Sequence, residues 1–395
     1  MLNVLVIGAG NYVCGRGTAG FGTILPALCE WKRRGHQVEV TVAGATAAGI
    51  SQLRGKLGEL EVLTGVELGA RFLPVGDDDE NAYLRALSRM SHPACAIIVV
   101  PDEKHARIAI DAMNANLHVL VVKPLAPTVA DALKMIEVQN SRKVYAAVEF
   151  HKRWDAANLK LRDCYLEGVI GDPQYVIVEY SQRKSVPSVQ FRGWAATTNS
   201  FQYLGVHYVD IIYFVTSSVP RRVMAVGQAG WLKAQGIDAY DSVQGIIEWE
   251  TPSGLTFTSS LFTNWIDPET TSAVSDQRIR FIGSKGRFES DQKRRGIQIV
   301  SESGIEEPNP DFCSSFAIPG RDVTGYRGYG IESLHAFLQD VESISQGLLD
   351  PAQLEGQRPT FREAIVSTAV VESANQSLAN GSEWTPVKSL TRTGL

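Results

Sequence analysis

Long apolar runs are missing from this 395-residue chain; no stretch approaches the roughly 20 residues that a membrane-spanning helix requires. Cysteine is sparse and scattered: Cys14, Cys29, Cys95, Cys164 and Cys313 form an odd set with no CxxC pair and no metal-ligand spacing. That excludes a disulfide framework and a zinc finger, and fits reduced, mostly buried thiols in a cytoplasmic protein with no bound metal. A basic excess is also absent: 38 Lys and Arg against 43 Asp and Glu leave a net charge of −5. Neither a nucleic acid nor an anionic membrane is therefore an expected partner. No basic segment precedes the first apolar run, so a secretory leader is not expected. Internal repeats and low-complexity stretches are lacking too.

What is present is the composition of a globular protein, 44% hydrophobic and 21% charged, in a chain long enough for two cores. Residues 3–7 form a short apolar run that stops at Gly8-Ala9-Gly10, as a parallel strand buried on both faces would. A helix is predicted over 23–34, with Thr23 to cap its start and Gly35 to end it. A strand at 38–43 then completes a strand–helix–strand unit. The alternation continues, with helices at 82–90, 104–115 and from 128, and strands at 96–100, 119–122 and 144–148. Asn116 suits a left-handed helix end, and Asp131 a capping box with Thr128.

This pattern predicts an α/β fold: a Rossmann doubly wound parallel sheet over residues 1–150. Beyond a helix at 155–167 the texture changes. Strands are predicted at 175–180, 222–226, 243–249, 256–261, 278–282 and 296–300, with helices at 203–215, 331–345 and 361–378. Successive strands without intervening helices predict an α+β domain over 151–395, with a mainly antiparallel, open-faced sheet.

Gly8-x-Gly10 between strand and helix opens a dinucleotide fingerprint. Gly8, Ala9, Gly10, Asn11 and Tyr12 are the residues expected to bind the cofactor there. The third glycine of GxGxxG is absent: Val13 stands in its place, and Gly15, Gly17, Gly20 and Gly22 follow before the helix. The second strand ends in Ala43-Gly44-Ala45-Thr46, with no acid for the adenosine ribose hydroxyls. Without a carboxylate to repel a 2′-phosphate, the choice within NAD(P) tilts toward NADP, with Thr46 at the turn and Arg54 further along the next helix.

Six further segments occur in order: Pro101-Asp102-Glu103-Lys104-His105, Val122-Lys123-Pro124, Val148-Glu149-Phe150-His151-Lys152-Arg153-Trp154-Asp155, Gly168-Val169-Ile170-Gly171-Asp172-Pro173, Gly205-Val206-His207-Tyr208-Val209-Asp210 and Ile282-Gly283-Ser284-Lys285-Gly286. Together they resemble the Gfo/Idh/MocA family of sugar and polyol oxidoreductases. The resemblance implies a nicotinamide at the mouth of the Rossmann sheet, facing the sheet of the second domain. It implies Lys123 as an acid/base group on the substrate hydroxyl and a contact to the nicotinamide ribose, and His207 as the catalytic histidine. Pro101 and His105 would line the cofactor, and His151 would stand beside the nicotinamide within reach of substrate.

The chain departs from the family pattern at two charges. Val122 replaces the Glu of Glu-Lys-Pro, and Tyr203 replaces an Asp one helical turn before His207. Tyr203 is either a catalytic partner or a packed aromatic. Arg192 and Trp194, in the loop before the His207 helix, are candidates for sugar contact.

Three readings of function follow. The first is hydride transfer between NAD(P) and a sugar, polyol, aminocyclitol or nucleotide sugar. The second is a lyase or hydrolase that uses tightly held NAD with no net redox change. The third is a non-enzymatic dinucleotide and sugar sensor. A homodimer or homotetramer formed through the open sheet face is also expected.

Overall fold

The computed structural model describes residues 1–388 and 390. In order, the chain forms β1 (Leu2–Ile7), a single turn α1 (Asn11–Cys14), α2 (Ile24–Arg33), β2 (Val38–Ala43), α3 (Ala47–Thr64), β3 (Arg71–Leu73), α4 (Ala82–Leu87), β4 (Ala94–Ile98), α5 (His105–Asn114), β5 (His118–Val122), α6 (Val129–Arg142) and β6 (Ala146–Glu149). Next come α7 (Ala156–Leu166), β7 (Pro173–Arg183), α8 (Val206–Thr216), β8 (Val219–Gln228), α9 (Trp231–Ala234), β9 (Ser242–Glu250), β10 (Thr256–Asp267), β11 (Ser275–Gly283) and β12 (Arg287–Asp291). The chain continues with β13 (Ile299–Ser301), β14 (Gly304–Glu306), β15 (Ser314–Ala317), β16 (Thr324–Arg327), α10 (Tyr329–Ser345), α11 (Phe361–Ala379) and β17 (Thr385–Pro386).

Strands β1 to β6 build a six-stranded parallel sheet in the order β3-β2-β1-β4-β5-β6. This is the doubly wound arrangement, in which strands sandwiched between helix layers read as unbroken apolar runs. All five residues of β4 are buried, for example. The second sheet has seven strands in the order β12-β11-β7-β10-β9-β8-β17. Its pairings are antiparallel except for β7 with β10, which run parallel in register from Tyr175–Thr258 to Ser181–Asn264. The segment carrying α8 separates β7 from the β8-β9-β10 meander. That meander returns to lie beside β7 in the same direction.

Side chains alternate between buried and accessible along β9 and β10, leaving one face open, with Tyr175, Val226 and Phe262 partly exposed on neighbouring strands. The strand predicted at 296–300 lies outside this sheet: β13 pairs only with β14, as an exposed hairpin.

The chain divides into two compact units, and the first does not end for good near residue 150. It comprises Met1–Ala126, Ala130–Trp154 and Asp311–Ala364, and the rest of the described chain forms the second. Residues 311–364 return because α10 is amphipathic. Its Ile331, Leu334, Phe337, Leu338 and Val341 join the core built around Trp31, Leu120 and Tyr145. Polar ties hold the return in place. Tyr326 N donates to Glu30 Oε1 at 2.7 Å, Arg33 Nη2 to Thr324 O at 2.8 Å, and Arg358 grips Asp340 with two bonds of 2.7 and 3.1 Å.

Thr23 occupies the N-cap position of α2 but makes no side-chain capping bond, against the sequence expectation. Asn116 does adopt a left-handed conformation, φ 60°. No helix among the described residues is long and apolar enough to cross a membrane.

Two histidines of this unit are held neutral by burial. Desolvation lowers the pKa of His118 and of His335 from 6.5 to about 4. His118 Nδ1 accepts from Tyr145 N at 2.9 Å, and His335 Nε2 donates to Ala27 O at 2.8 Å. An unfolded chain would bind these protons at a pKa near 6.5. Their contribution to stability is therefore complete above that pH and is lost as pH falls toward 4. For His335 the loss is on the order of 3 kcal/mol. The thermal midpoint should drop between pH 6.5 and 4, and His335→Gln should make that drop shallower. Parallel pH curves for wild type and variant would refute the assignment.

Candidate active site

The turn after β1 is built for close approach by a ligand. Gly8 has φ +126°, and a Cβ there would lie 1.9 Å from Val99 O, so only glycine fits between β1 and β4. Gly10 faces open space, with nothing within 4 Å of where its Cβ would be. The missing third glycine has a structural counterpart. Val13 is fully buried in α1, and the chain then leaves the helix at Gly15, φ +71°, to make a loop before α2. A Cβ on Gly15 would meet Gly20 O at 2.0 Å, and Thr23 N donates to Tyr12 O at 2.8 Å, so the loop closes on its own start. The extra glycines thus fold an excursion between two helical pieces, while Gly8 and Gly10 keep the cradle. These residues fit a dinucleotide.

Thr46 caps α3, its Oγ1 accepting from Gly49 N at 3.1 Å. Arg54 lies with its guanidinium 5.0 Å over the Phe72 ring. His105 is fully buried, with Nδ1 2.7 Å from Pro124 O and Nε2 3.0 Å from Val100 O. It therefore ties the end of β4, where Pro101 opens a short 3-10 turn, to the turn after β5. That turn carries Lys123, directly followed by a cis Lys123–Pro124 bond.

Desolvation lowers the Lys123 pKa from 10.5 to about 7, against the opposing pull of Asp102 and Glu149. Glu149, at the end of β6, is a residue the sequence did not single out. Only 2% exposed, it accepts from Ser333 Oγ at 2.7 Å and from His151 Nδ1 at 2.8 Å. A carboxylate on Nδ1 favours a proton on that nitrogen and fixes the orientation of the ring. Three aromatic rings surround His151: Phe312 at 5.0 Å, Tyr329 at 5.6 Å and Tyr12 at 6.2 Å between centroids. Tyr12 Oη lies 3.4 Å from His151 Nδ1, and burial and then Glu149 push the Tyr12 pKa well above 10. Lys123, Glu149, His151 and Tyr12 thus share one end of the parallel sheet. No local motif announces Ser333, Phe312 or Tyr329, because they arrive on the returning segment.

The second unit holds the other candidates. His207, 4% exposed, sits in the first turn of α8, with its ring 6.3 Å from Tyr180. Burial raises the Tyr180 pKa. The helix predicted from 203 begins instead as a wider π turn over Phe201–Gly205. Asn199 Oδ1 accepts from Gln202 N at 2.9 Å at its start, so a polar residue of the 197–200 stretch caps the turn. Tyr203 lies in an aromatic cluster with Phe191 at 4.8 Å, Trp265 at 5.8 Å and Trp194 at 5.9 Å. Trp194 stacks on Phe191 at 4.7 Å, and Arg192 Nη2 donates to Gln235 O at 2.9 Å. Both candidates from this loop therefore take part in holding it. Asp155, from the motif after β6, caps α7 through Ala157 N at 3.0 Å and pairs with Arg295 at 2.8 Å. Among the described residues no cluster of His, Cys, Asp and Glu could hold a metal ion.

Residues 2–150 match the family model described as "Oxidoreductase family, NAD-binding Rossmann fold", and residues 158–289 match that of the GFO/IDH/MocA C-terminal domain. The chain belongs to the GFO/IDH/MocA family of NAD-binding oxidoreductases. It is 30% identical to the inositol 2-dehydrogenase of Salmonella typhimurium (strain LT2) over 120 residues, 30% of this chain and only 34% of that protein's length. It is 27% identical to the 1,5-anhydro-D-fructose reductase of Ensifer adhaerens over 290 residues, 71% of this chain and 73% of the relative. The fold matches the crystal structure of scyllo-inositol dehydrogenase from Lactobacillus casei with bound NAD(H) and scyllo-inositol. The TM-score there is 0.66 at 16% identity, covering 98% of this chain and 99% of that one.

The Lys123 amine should therefore titrate near neutrality. Its rate of reaction with an amine-directed reagent, read by mass spectrometry of its peptide, should show a midpoint near pH 7. Glu149→Gln removes a charge that favours the ammonium and should move that midpoint lower. A midpoint near 10.5 in the wild-type protein would contradict the desolvated site.

Proposed function

We propose that this chain is an NAD(P)-dependent dehydrogenase or reductase of a sugar, polyol or related cyclitol, acting at a carbinol carbon. The observation that carries this reading is Lys123: an amine of near-neutral pKa at the carboxyl end of a parallel strand, where such folds bind ligands. Gly8, Ala9, Gly10, Asn11 and Tyr12 would hold the dinucleotide pyrophosphate, with Thr46 at the adenosine end and Pro101 along the edge. A bound nicotinamide supplies the acceptor or donor of hydride.

The neutral amine of Lys123 takes the hydroxyl proton as a carbinol is oxidised, and its ammonium returns the proton in reduction. His207 is the second proposed acid/base group, and His151, oriented by Glu149, is a proposed polar contact to substrate. The Tyr203 ring, four residues before His207, packs with Phe191, Trp194 and Trp265. Relatives named as inositol dehydrogenases and as an anhydrofructose reductase favour cyclic polyhydroxylated substrates. Five free thiols suit a reducing, cytoplasmic setting.

Turnover of a panel of inositols, sugars and anhydro-sugars with each nicotinamide cofactor is the direct test. Oxidation should rise with pH through about 7 as Lys123 loses its proton, and reduction should fall over the same range. Lys123→Met should lower kcat/KM by roughly a hundredfold or more. Dinucleotide binding without turnover of any panel member, in a protein whose ligand response survives Lys123→Met, would favour a sensor instead.

Tyr203→Phe keeps the ring that packs with Phe191, Trp194 and Trp265 and should keep activity within roughly threefold. A loss as large as that of Lys123→Met would make Tyr203 catalytic.

The open face of the second sheet is read as a homodimer or homotetramer contact. Solution mass should exceed that of one chain, and Phe262→Asp should reduce it. A monomeric wild-type mass would remove this assignment.

A further inference from the structure

The corner where this fold reads the adenosine ribose has an unusual composition. The position just after β2 is Gly44, and a Cβ there would meet Ile50 Cδ1 at 3.0 Å and Cγ1 at 3.1 Å. A side chain on that residue would press against the buried Ile50. A cation arrives from elsewhere in the sequence. A Cβ on Gly49, in the first turn of α3, would lie 2.8 Å from Thr46 Oγ1 and 3.1 Å from Arg16 Nη1. Arg16 belongs to the loop inserted between α1 and α2, so that excursion carries a guanidinium across to the end of β2. Arg16 and Thr46 are both exposed, and Arg16 makes no ion pair among the described residues. Lys56 steadies the same loop, with Nζ 3.4 Å from Ala19 O and 5.1 Å over the Phe21 ring.

We propose that Arg16, with the Thr46 hydroxyl, binds the 2′-phosphate of NADP(H) and sets cofactor choice in this protein. The inference rests on the dinucleotide reading above and deepens it. A guanidinium offers paired donors to phosphate oxygens, and Thr46 Oγ1, already accepting from Gly49 N, keeps its own proton to donate. The opposing charge is Asp78, whose Oδ1 accepts from Ala47 N at 2.8 Å at the same helix start. It is the carboxylate with which a 2′-phosphate competes, and the one that could accept from ribose hydroxyls in NAD(H). Arg54 is not the discriminating group, since its guanidinium lies over Phe72.

The test is equilibrium titration of the full chain, freed of bound nucleotide, with NADPH and with NADH, read by fluorescence. Wild type should bind NADPH more tightly. Arg16→Ala should weaken NADPH roughly tenfold or more while changing NADH less than twofold, and Arg16→Glu should deepen that contrast. Because Arg16 is exposed, both variants should keep the wild-type melting curve. Equal weakening of both nucleotides, or no weakening of NADPH, would overturn the assignment. Tighter binding of NADH, lost in Asp78→Asn, would also overturn it and give the corner to ribose recognition. In each of those cases the dinucleotide reading survives. Binding of neither nucleotide would remove both.

Discussion

Holding an amine largely out of water at the end of a parallel strand is the constraint on which the first unit turns. A lysine ammonium left in low dielectric gives up its proton unless carboxylates retain it, and here desolvation prevails over Asp102 and Glu149. Such a balance needs fixed geometry. The turn carrying Lys123 is held by His105, a buried side chain within hydrogen-bond distance of the carbonyls of Val100 and Pro124. Glu149 is in turn immobilised by Ser333 and His151. One buried carboxylate therefore influences the charge of Lys123 and orients the imidazole of His151. A structural hydrogen bond and an electrostatic influence meet in the same residue.

The returning segment 311–364 follows from that arrangement. A sheet end that must exclude water needs cover, and the residues after β6 leave for another unit. The chain comes back with Phe312 and Tyr329 against His151 and with Ser333 on Glu149, anchored by the apolar face of α10 and by the Asp340–Arg358 pair. The first core is thus completed only when some 360 residues have been made. Folding of residues 1–154 alone would leave Trp31 and Tyr145 without the α10 side of their packing, so the unit is not a simple N-terminal module.

What could be read beforehand follows the range of the interactions concerned. The parallel strands were legible because burial on both faces writes itself as consecutive Val, Ile, Leu and Ala. The cradle was legible because Gly8 permits a contact no other residue allows. Lys123 and His207 were marked as candidates by their short motifs. Glu149 stood inside a quoted motif and was passed over, since nothing local distinguishes a carboxylate that receives two buried hydrogen bonds from one at a strand end in water. Arg16 sits 30 residues before Thr46 and 33 before Gly49 in the chain. Its relevance depends on where a glycine-rich excursion lands, which depends on backbone angles rather than on any periodicity. The parallel pairing of β7 with β10 was hidden for a similar reason, because alternation reports which face is buried and not which neighbour is chosen.

The two departures from the family pattern have opposite consequences for their units. At Val122 a carboxylate has been lost directly beside Lys123. A negative charge there would favour the ammonium, so its absence leaves desolvation in control and helps bring the amine toward neutrality. At Tyr203 the replacement is not an electrostatic equivalent, because a phenol inside a cluster of Phe191, Trp194 and Trp265 carries no charge. His207 must then be tuned by groups other than a carboxylate one turn earlier. The first change bears on the charge of Lys123, while the second transfers a position from electrostatics to packing.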